Sequence, residues 1–322
     1  MTQNPAFRRR RVTVFGGTGF IGRHLVRRLA KGGARIRAVT SDPERAMSLK
    51  PLGDPGQIVA QRGDLRDPAT VAAAIAGAEM VVNLVGILYP RGGAGFAAIH
   101  VEGARHVAEA AREAGARRLV HVSALGADPR SPSEYARSKA AGEVAVRAAF
   151  PGATVIRPSV VFGRDDQFFN RFAELARFSP VLPLIGGGKT RFQPVYVGDV
   201  AEAIQRVLAD PTTAGETYEL GGPQVFTLRE LFKIVLQATG RSRLLVPLPF
   251  WLAGFEARFL EWWPKPPLTR DQVKLLTRDS VVGRKARGLA DLGIAPTAVA
   301  AVVPAYLARY RRPGGATVMI SS

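Results

Sequence analysis

The sequence predicts an α/β fold, a doubly wound parallel sheet with a smaller C-terminal lobe. Three observations carry that prediction. Short apolar strand patterns alternate with amphipathic helix patterns from residue 11 to residue 158. A glycine-rich junction joins the first strand to the first helix. Beyond Pro158 the alternation loosens, and Pro, Gly and aromatic residues become more frequent. Repeating βα units demand right-handed crossovers, which put helices on both faces of a parallel sheet.

Residues 11–15 (RVTVF) read as a buried strand and residues 20–30 as a helix closed by Gly32 and Gly33. Strands follow at 35–39 and 58–61. The helix at 68–76 opens on Pro68, where a missing N–H costs least. A fourth strand spans 80–85, and an Ala-rich helix spans 97–114 before Gly115. The fifth strand (118–123), a helix (133–149) and the sixth strand (154–157) complete the alternation. Later, residues 198–209 and 228–239 have helical period. The expected domains are a core of residues 1–160 and a lobe of residues 161–322, with residues 192–220 partly returning to the core sheet. Low complexity is confined to the Ala-rich helices and a Gly-rich tail near Gly314.

The chain has 322 residues, 47% of them hydrophobic and 22% charged, so it can bury a core without covalent staples. It contains no cysteine, which excludes disulfides, Cys-ligated metals and thiol nucleophiles. Its histidines, His24, His100, His106 and His121, are too scattered for a metal site to be expected. The net charge of +19 suits an acidic partner, or reflects a composition in which Arg replaces Lys and Ala is abundant. No nucleic-acid recognition motif accompanies it, so nucleic acid is not an expected partner. Residues 1–11 carry an Arg run without a following apolar segment, which reads as neither a secretory signal nor a transit peptide. No uninterrupted apolar stretch of about 18 residues is present, so no spanning helix is expected. The expectation is a bacterial-type cytoplasmic protein.

The junction reads Gly16-Gly17-Thr18-Gly19-Phe20-Ile21-Gly22. Gly16 permits a tight turn out of the strand, Gly19 lets backbone approach a diphosphate, and Gly22 lets the helix pack on the sheet. The helix N-terminus offers free N–H groups and partial positive charge to phosphates. This is a dinucleotide cradle. The second strand ends in Thr40-Ser41-Asp42, with Arg37 and Arg45 close by in sequence. Asp42 suits a ribose 2′-hydroxyl and hence NAD; Arg23, Arg37 or Arg45 suits the 2′-phosphate of NADP. Asp64 is placed either to accept from an adenine amino group or to cap the helix before Pro68.

Together with that loop, Gly63-Asp64-Leu65, Asn83-Leu84-Val85-Gly86 and Tyr135-Ala136-Arg137-Ser138-Lys139 resemble the short-chain dehydrogenase/reductase superfamily in its extended or atypical branch. The likeness continues through RPSVVFG at 157–163 and QPVYVGDV at 193–200. A narrower likeness spans nearly the whole chain. RPSVVFGRDDQFFNRFA, TRFQPVYVGDVAEAI, VPLPFWLAG, LTRDQVKLL and LADLGI resemble the alpha-subcomplex subunit nine family of NADH:ubiquinone oxidoreductase, respiratory complex I. That resemblance implies a tightly held, structural NADPH. Gly16, Gly17, Thr18, Gly19, Phe20, Ile21 and Gly22 would surround the diphosphate, with Ser41 and Arg45 toward the adenosine ribose. Asp64 and Leu65 would lie near adenine, and Val85 and Gly86 at the end of the fourth strand. Tyr135 and Lys139 would hold the nicotinamide ribose, with Pro158, Ser159 and Val160 beside the nicotinamide. Many relatives carry Arg where Ser41 stands, a departure that bears on NADP(H), the favoured cofactor, against NAD(H). Relatives also include stand-alone bacterial proteins and a factor linked to ubiquinone biosynthesis.

Tyr135 and Lys139 are four apart and share one helix face. An ammonium there is expected to lower the phenol pKa, and the phenol can then exchange a proton with a substrate oxygen. That chemistry also needs a hydroxyl at the end of the fifth strand. Ala124 occupies this position; Ser123 lies one residue earlier, its side chain expected on the opposite face. One missing polarising donor costs about 10²–10³ in rate. The expected reading is therefore a cofactor clamp in a complex I accessory or assembly protein. The alternative is an active NAD(P)-dependent reductase, dehydrogenase or epimerase in quinone or isoprenoid metabolism. Asp165 and Asp166 read as solvated loop charges, and His100 and His106 as ordinary helix residues.

Residues 244–263 (LLVPLPFWLAGFEARFLEWW) are the most apolar and aromatic run of the chain. Trp251, Phe255 and Phe259 recur every four residues, a single helical stripe. It reads either as the core-facing side of a lobe helix or as a surface for peripheral membrane contact or subunit docking. Pro247 and Pro249 argue against a spanning segment. The expected location is the cytoplasm, with peripheral attachment to the cytoplasmic face of the inner membrane.

Overall fold

The computed structural model describes residues 5–90, 94–263 and 266–311; the tail near Gly314 and the first four residues lie outside them. The chain divides into two compact units. The first takes the chain up to Pro158, Val197–Leu220 and Gly283–Ala295; the second takes Ser159–Tyr196, Gly221–Val282 and the chain from Pro296 on. Residues 283–295, expected in the lobe, thus belong with the first unit. The reason is a strand-like bond: the Glu219 N–H donates to the Arg287 carbonyl at 2.8 Å, and Arg206 donates to the Leu292 carbonyl at 2.8 Å.

The first unit begins with β1 (Arg11–Phe15), α1 (Phe20–Lys31), β2 (Arg35–Thr40), α2 (Pro43–Met47), β3 (Ile58–Arg62) and α3 (Pro68–Ile75). It continues with β4 (Met80–Asn83), α4 (Gly103–Glu113), β5 (Arg118–Val122), α5 (Glu134–Ala149) and β6 (Thr154–Pro158). After β7 (Val161–Phe162), α6 (Phe169–Phe178), β8 (Val181–Ile185), β9 (Arg191–Phe192) and β10 (Val195–Tyr196) in the second unit, α7 (Val197–Ala209) and β11 (Thr217–Leu220) return to the first.

Among the described residues, seven strands form the main sheet in the order β11-β6-β5-β4-β1-β2-β3, every pair parallel. The strand order reverses between β1 and β4. In an open parallel sheet the crevice beyond the C-terminal strand ends at that point is where ligands bind. β4 and β5 are buried at every residue, as central strands covered on both faces must be. On one face, α3, α4 and α5 meet the sheet through Val71, Val107, Ala111 and Val146 against Phe15, Val81 and Leu119. α1 and α7 pack together, tied by Arg28 and Glu202 at 2.7 Å.

The second unit continues with β12 (Phe226–Thr227), α8 (Leu228–Thr239), β13 (Leu244–Leu248), α9 (Phe250–Leu260), α10 (Arg270–Leu275) and α11 (Val299–Leu307). Its core packs Phe162, Phe169, Phe192, Phe232 and Tyr306. Asp166 is not the solvated charge that the sequence suggests. It is 3% exposed, because its carboxylate accepts from the N–H groups of Phe168, Phe169 and Asn170 at the start of α6 and from the Tyr306 hydroxyl at 2.5 Å. Burial pushes its pKa up against those bonds. Asp165 is exposed.

α9 overturns the core-facing reading of the aromatic stripe. Its small residues Ala253 and Ala257 turn inward onto Ile185 and Val273. Trp251, Phe255 and Phe259 point out, Trp251 with 75% of its surface exposed, and Trp262 follows at 85%. Phe250 anchors the start: its ring lies where a Cβ on Gly186 would be 2.2 Å away. No helix among the described residues is long and apolar enough to cross a membrane.

Candidate functional site

The glycine loop is built around two positions. Gly16 leaves β1 at φ +76°, a left-handed turn open to glycine. At Gly22 a Cβ would lie 2.2 Å from the Gly16 carbonyl oxygen and 2.6 Å from that of Gly17. Gly22 therefore packs the helix against its own loop, where the sequence suggested packing on the sheet. α1 starts with Gly19 as N-cap, with no side-chain cap and no acidic residue in its first turn. Its leading N–H groups and its dipole are thus left for an anion. Beyond the loop, Val85 stands 3.3 Å from where a Gly16 Cβ would be. Thr18 and Thr40 meet at 3.5 Å, tying the loop to the end of β2.

The adenosine-side candidates have defined partners. Asp42 caps α2, accepting from the N–H groups of Glu44 and Arg45 at 3.2 and 3.4 Å. Ser41 and Arg45 are exposed beside it. Arg37 is occupied elsewhere: it donates to the carbonyls of Ala74 and Ala76 at the end of α3. Asp64 is held by Arg66 through both carboxylate oxygens, which lowers its pKa. The cap before Pro68 is Asp67, accepting from Ala69, so Asp64 has no capping role. Leu65 is buried, and its carbonyl accepts from His106 Nδ1 at 2.8 Å.

At the C-terminal ends of β4 and β5 a polar cluster gathers around Lys139. Lys139 Nζ donates to the Val122 carbonyl at 3.0 Å and is 4% exposed as a residue. Burial lowers its pKa to about 8, opposed by Glu143 one turn on. Gly86 forms the neighbouring wall: a Cβ there would be 3.5 Å from both Lys139 Nζ and His100 Nε2. Tyr135 meets His100 edge-on at 5.5 Å and Phe96 at 5.9 Å between ring centres. The expected depression of the phenol by Lys139 is not met. Burial pushes Tyr135 up to about 12, and the Lys139 ammonium donates to the Val122 carbonyl.

Ser123 also departs from expectation. Its N–H donates to the Ile156 carbonyl at 2.8 Å, continuing the ladder of β5 one residue further. Strand alternation then puts Leu119, His121 and Ser123 on one face, and Leu119 packs in the layer of α4 and α5. Ser123 therefore faces the layer that carries Tyr135 and Lys139. Pro158 ends β6 and its carbonyl accepts from the Leu125 N–H at 2.9 Å. Ser159 and Val160 belong to the second unit, where the Ser159 hydroxyl donates to the Ser280 carbonyl at 3.1 Å.

Sequence reasoning missed Phe96, Asn83, His100 and His121. His100 lies in a π-helical turn, Ala97–Glu102, that precedes α4 where a single regular helix was expected; such turns recur at functional sites. Gly142 presses α5 onto this turn, since its Cβ would be 2.0 Å from the His100 carbonyl oxygen. Hydrogen bonds fix the ring states. His100 Nε2 accepts from the Ile87 N–H at 3.0 Å, so Nδ1 carries the proton toward Ser138 Oγ at 2.8 Å. Asn83 Oδ1 accepts from the Val85 N–H, which turns its amide nitrogen to His121 Nδ1 at 3.4 Å and leaves the proton on Nε2. Burial holds both imidazoles near a pKa of 3, with Lys139 adding to the depression.

A pH dependence follows. Between about pH 6.5 and about pH 3 the unfolded chain protonates both histidines and the folded chain does not, so stability falls as acid is added through that window. The thermal midpoint should drop by roughly 5 °C or more from pH 6.5 to pH 4.5. Imidazole NMR titration should show His100 and His121 neutral at pH 5; normal titration of all four rings near 6.5 would refute this.

Strand order, glycine cradle and the Tyr135–Lys139 pair define a nicotinamide dinucleotide-binding protein of the extended short-chain dehydrogenase/reductase class. The chain belongs to the NAD dependent epimerase/dehydratase family, which it matches over residues 12–221, and within it to the family of the complex I alpha subcomplex subunit 9 proteins. It is 39% identical over 321 residues to "NADH dehydrogenase [ubiquinone] 1 alpha subcomplex subunit 9, mitochondrial" of Arabidopsis thaliana, covering 95% of this chain and 80% of that protein. It is 36% identical to a ceramide reductase of Caulobacter vibrioides, over 74% of this chain and 73% of that one. The crystal structure of the Citrobacter sp. triphenylmethane reductase superposes with a TM-score of 0.73 at 19% identity, covering 93% of this chain and 99% of that one, which speaks to the fold alone.

Proposed function

We propose that this chain is a dinucleotide-binding accessory or assembly component of a respiratory NADH:quinone oxidoreductase, with a cofactor that is mainly structural. The observation that carries the reading is the extent of the likeness. Identity to the plant subunit covers 95% of the chain, including the second unit that the general family match leaves largely unmatched. The protonation state of the site supports it. Burial holds the Tyr135 phenol up to about 12, so at neutral pH it stays protonated and is a poor base for substrate oxidation.

The residues fit the cofactor. The uncapped start of α1 and the crowding at Gly22 form a diphosphate cradle, and the unpartnered Ser123 Oγ lies on the face of β5 turned to the Tyr135–Lys139 layer. A bound nicotinamide would supply hydride exchange. Gly16 to Gly22 would hold the diphosphate, Asp64 and Leu65 the adenine side, Val85 and Gly86 the floor, and Tyr135 and Lys139 the nicotinamide ribose. NADP(H) is the favoured form. Asp42, the acid that would select against a 2′-phosphate, is engaged in capping α2, and Arg45 lies exposed next to it with Ser41. Mass spectrometry of nucleotide released from gently purified protein decides between NADP(H) and NAD(H).

The chain should co-migrate with the NADH:quinone oxidoreductase in native gels of its source membranes; migration solely as a free protein would remove the accessory reading. The second reading, an active reductase, is favoured by the ceramide reductase relative and by the retained pair Tyr135 and Lys139. Tyr135→Phe separates the two. A structural role predicts full complementation of a deletion strain, whereas an enzyme predicts loss of function by about 10²-fold or more. We further propose that the α9 aromatic face attaches the protein peripherally to an anionic bilayer on the cytoplasmic side. Exposed Trp rings of this kind prefer the membrane–water boundary.

A further inference from the structure

Among the described residues, three buried side-chain atoms lack a hydrogen-bond partner: Arg118 Nε, His121 Nε2 and Ser123 Oγ. Arg118 is otherwise well bonded. Its terminal nitrogens donate to the Val207 and Pro211 carbonyls and the Thr213 hydroxyl, closing the end of α7. His121 and Ser123 are different. They stand two apart on one face of β5 and are 2% and 5% exposed; His121 meets Asn83 through Nδ1 and leaves Nε2 unpaired, and Ser123 leaves its hydroxyl unpaired.

A buried polar atom left unpaired forfeits its hydration with nothing in return, so two such atoms on one strand face call for a partner. The fixed tautomer of His121 states what that partner is. Nε2 is a donor, and the Ser123 hydroxyl can donate or accept. Lys139 Nζ reaches the same strand end, at Val122 between His121 and Ser123, and it has three N–H groups. One donates to the Val122 carbonyl. A water, which can accept from His121 and Lys139 and donate to Ser123, satisfies all three.

We infer that His121 Nε2 and Ser123 Oγ hold one buried water against Lys139 Nζ, and that His121 thereby positions the Lys139 ammonium. Three hydrogen bonds to one internal water is the usual complement. With one N–H on Val122 and one on the water, the third N–H of Lys139 is aimed for a ligand hydroxyl. The inference rests on the proposed role of Lys139 at the nicotinamide ribose. The groups that face Lys139 are Glu143 and Tyr135 on α5, His100 in the π-helical turn, His121 on β5 and the Gly86 backbone after β4.

The test has two arms. A crystal structure of the unliganded protein at high resolution should show a water within hydrogen-bond distance of His121 Nε2 and Ser123 Oγ. A dry contact between these two side chains would overturn the inference, whatever the cofactor does. The second arm compares His121→Gln, which keeps an N–H near the Nε2 position, with His121→Asn, which keeps an acceptor toward Asn83 and loses that N–H. NADPH affinity of the wild type should fall as pH rises through about 8, where Lys139 loses its charge. His121→Asn should move that midpoint down by about one pH unit and His121→Gln should leave it in place. The reverse order of the two variants, or equal shifts in both, assigns His121 to packing or to Asn83 and overturns the inference. Wild-type affinity flat across pH 7–10 instead refutes the ribose role of Lys139, and the crystallographic arm still decides the water.

Discussion

Gly22→Ala should abolish retention of the dinucleotide and destabilise the first unit. The added methyl would sit 2.2 Å from one carbonyl oxygen and 2.6 Å from the next, both in the backbone of the loop. Neither can rotate aside as a side-chain end would. Overpacking of this kind costs about 1–3 kcal/mol when the surroundings yield. Here they yield by opening the Gly16 turn, which is the geometry that presents the α1 N–H groups to phosphate. Affinity for NADPH and NADH should therefore fall by about 100-fold or more, beyond what the loss of stability accounts for. Calorimetry with both nucleotides, alongside a thermal melt, measures the two effects separately. Gly19→Ala is the comparison for stability alone, since its Cβ would approach only one protein atom within 4 Å, the Gly16 oxygen at 3.1 Å, while its methyl would still crowd the diphosphate. An unchanged affinity in Gly22→Ala would sink the cradle.

Replacing Trp251, Phe255 and Phe259 together by serine should release the protein from anionic vesicles while leaving dinucleotide binding intact. All three are exposed, at 75%, 59% and 53%, and the inward side of α9 rests on Ala253 and Ala257 instead. The substitutions thus remove surface without opening a cavity. Burying each aromatic in an interface contributes about 1.5–3 kcal/mol, so even partial insertion of three predicts at least a 100-fold loss of partitioning. The net charge of +19 adds attraction to anionic headgroups, about 1 kcal/mol for each basic residue near the surface. Sedimentation with phosphatidylserine-containing vesicles should pull down the wild type, weakly with phosphatidylcholine alone, and the triple variant with neither. Failure of the wild type to sediment at low salt would end the membrane reading of α9.

Much of the fold was legible because it rests on local periodicity. The strand at 11–15, the helix at 228–239 and the Pro68 start match the structure residue for residue. Each is set by spacing that neighbouring residues carry themselves. The cradle was legible for the same reason: all its glycines lie within seven consecutive residues. Errors arose where a residue's surroundings come from distant chain. Asp166 reads as a loop charge until Tyr306, 140 residues on, donates to it. His100 reads as an ordinary helix residue until Ile87 and Ser138 fix both of its nitrogens.

The amino-acid order by itself determined the alternation of strands and helices, the glycine cradle, the Tyr135–Lys139 pair and the aromatic stripe of α9, because each is a pattern within one or two turns of chain. Tertiary structure alone decided which way the stripe points, which neighbours hold His100 and His121 neutral, why Tyr135 stays high, and which face Ser123 takes. Those are properties of burial and of partners brought together across strands, and free energies of desolvation depend on what surrounds a group in space rather than on what precedes it in sequence.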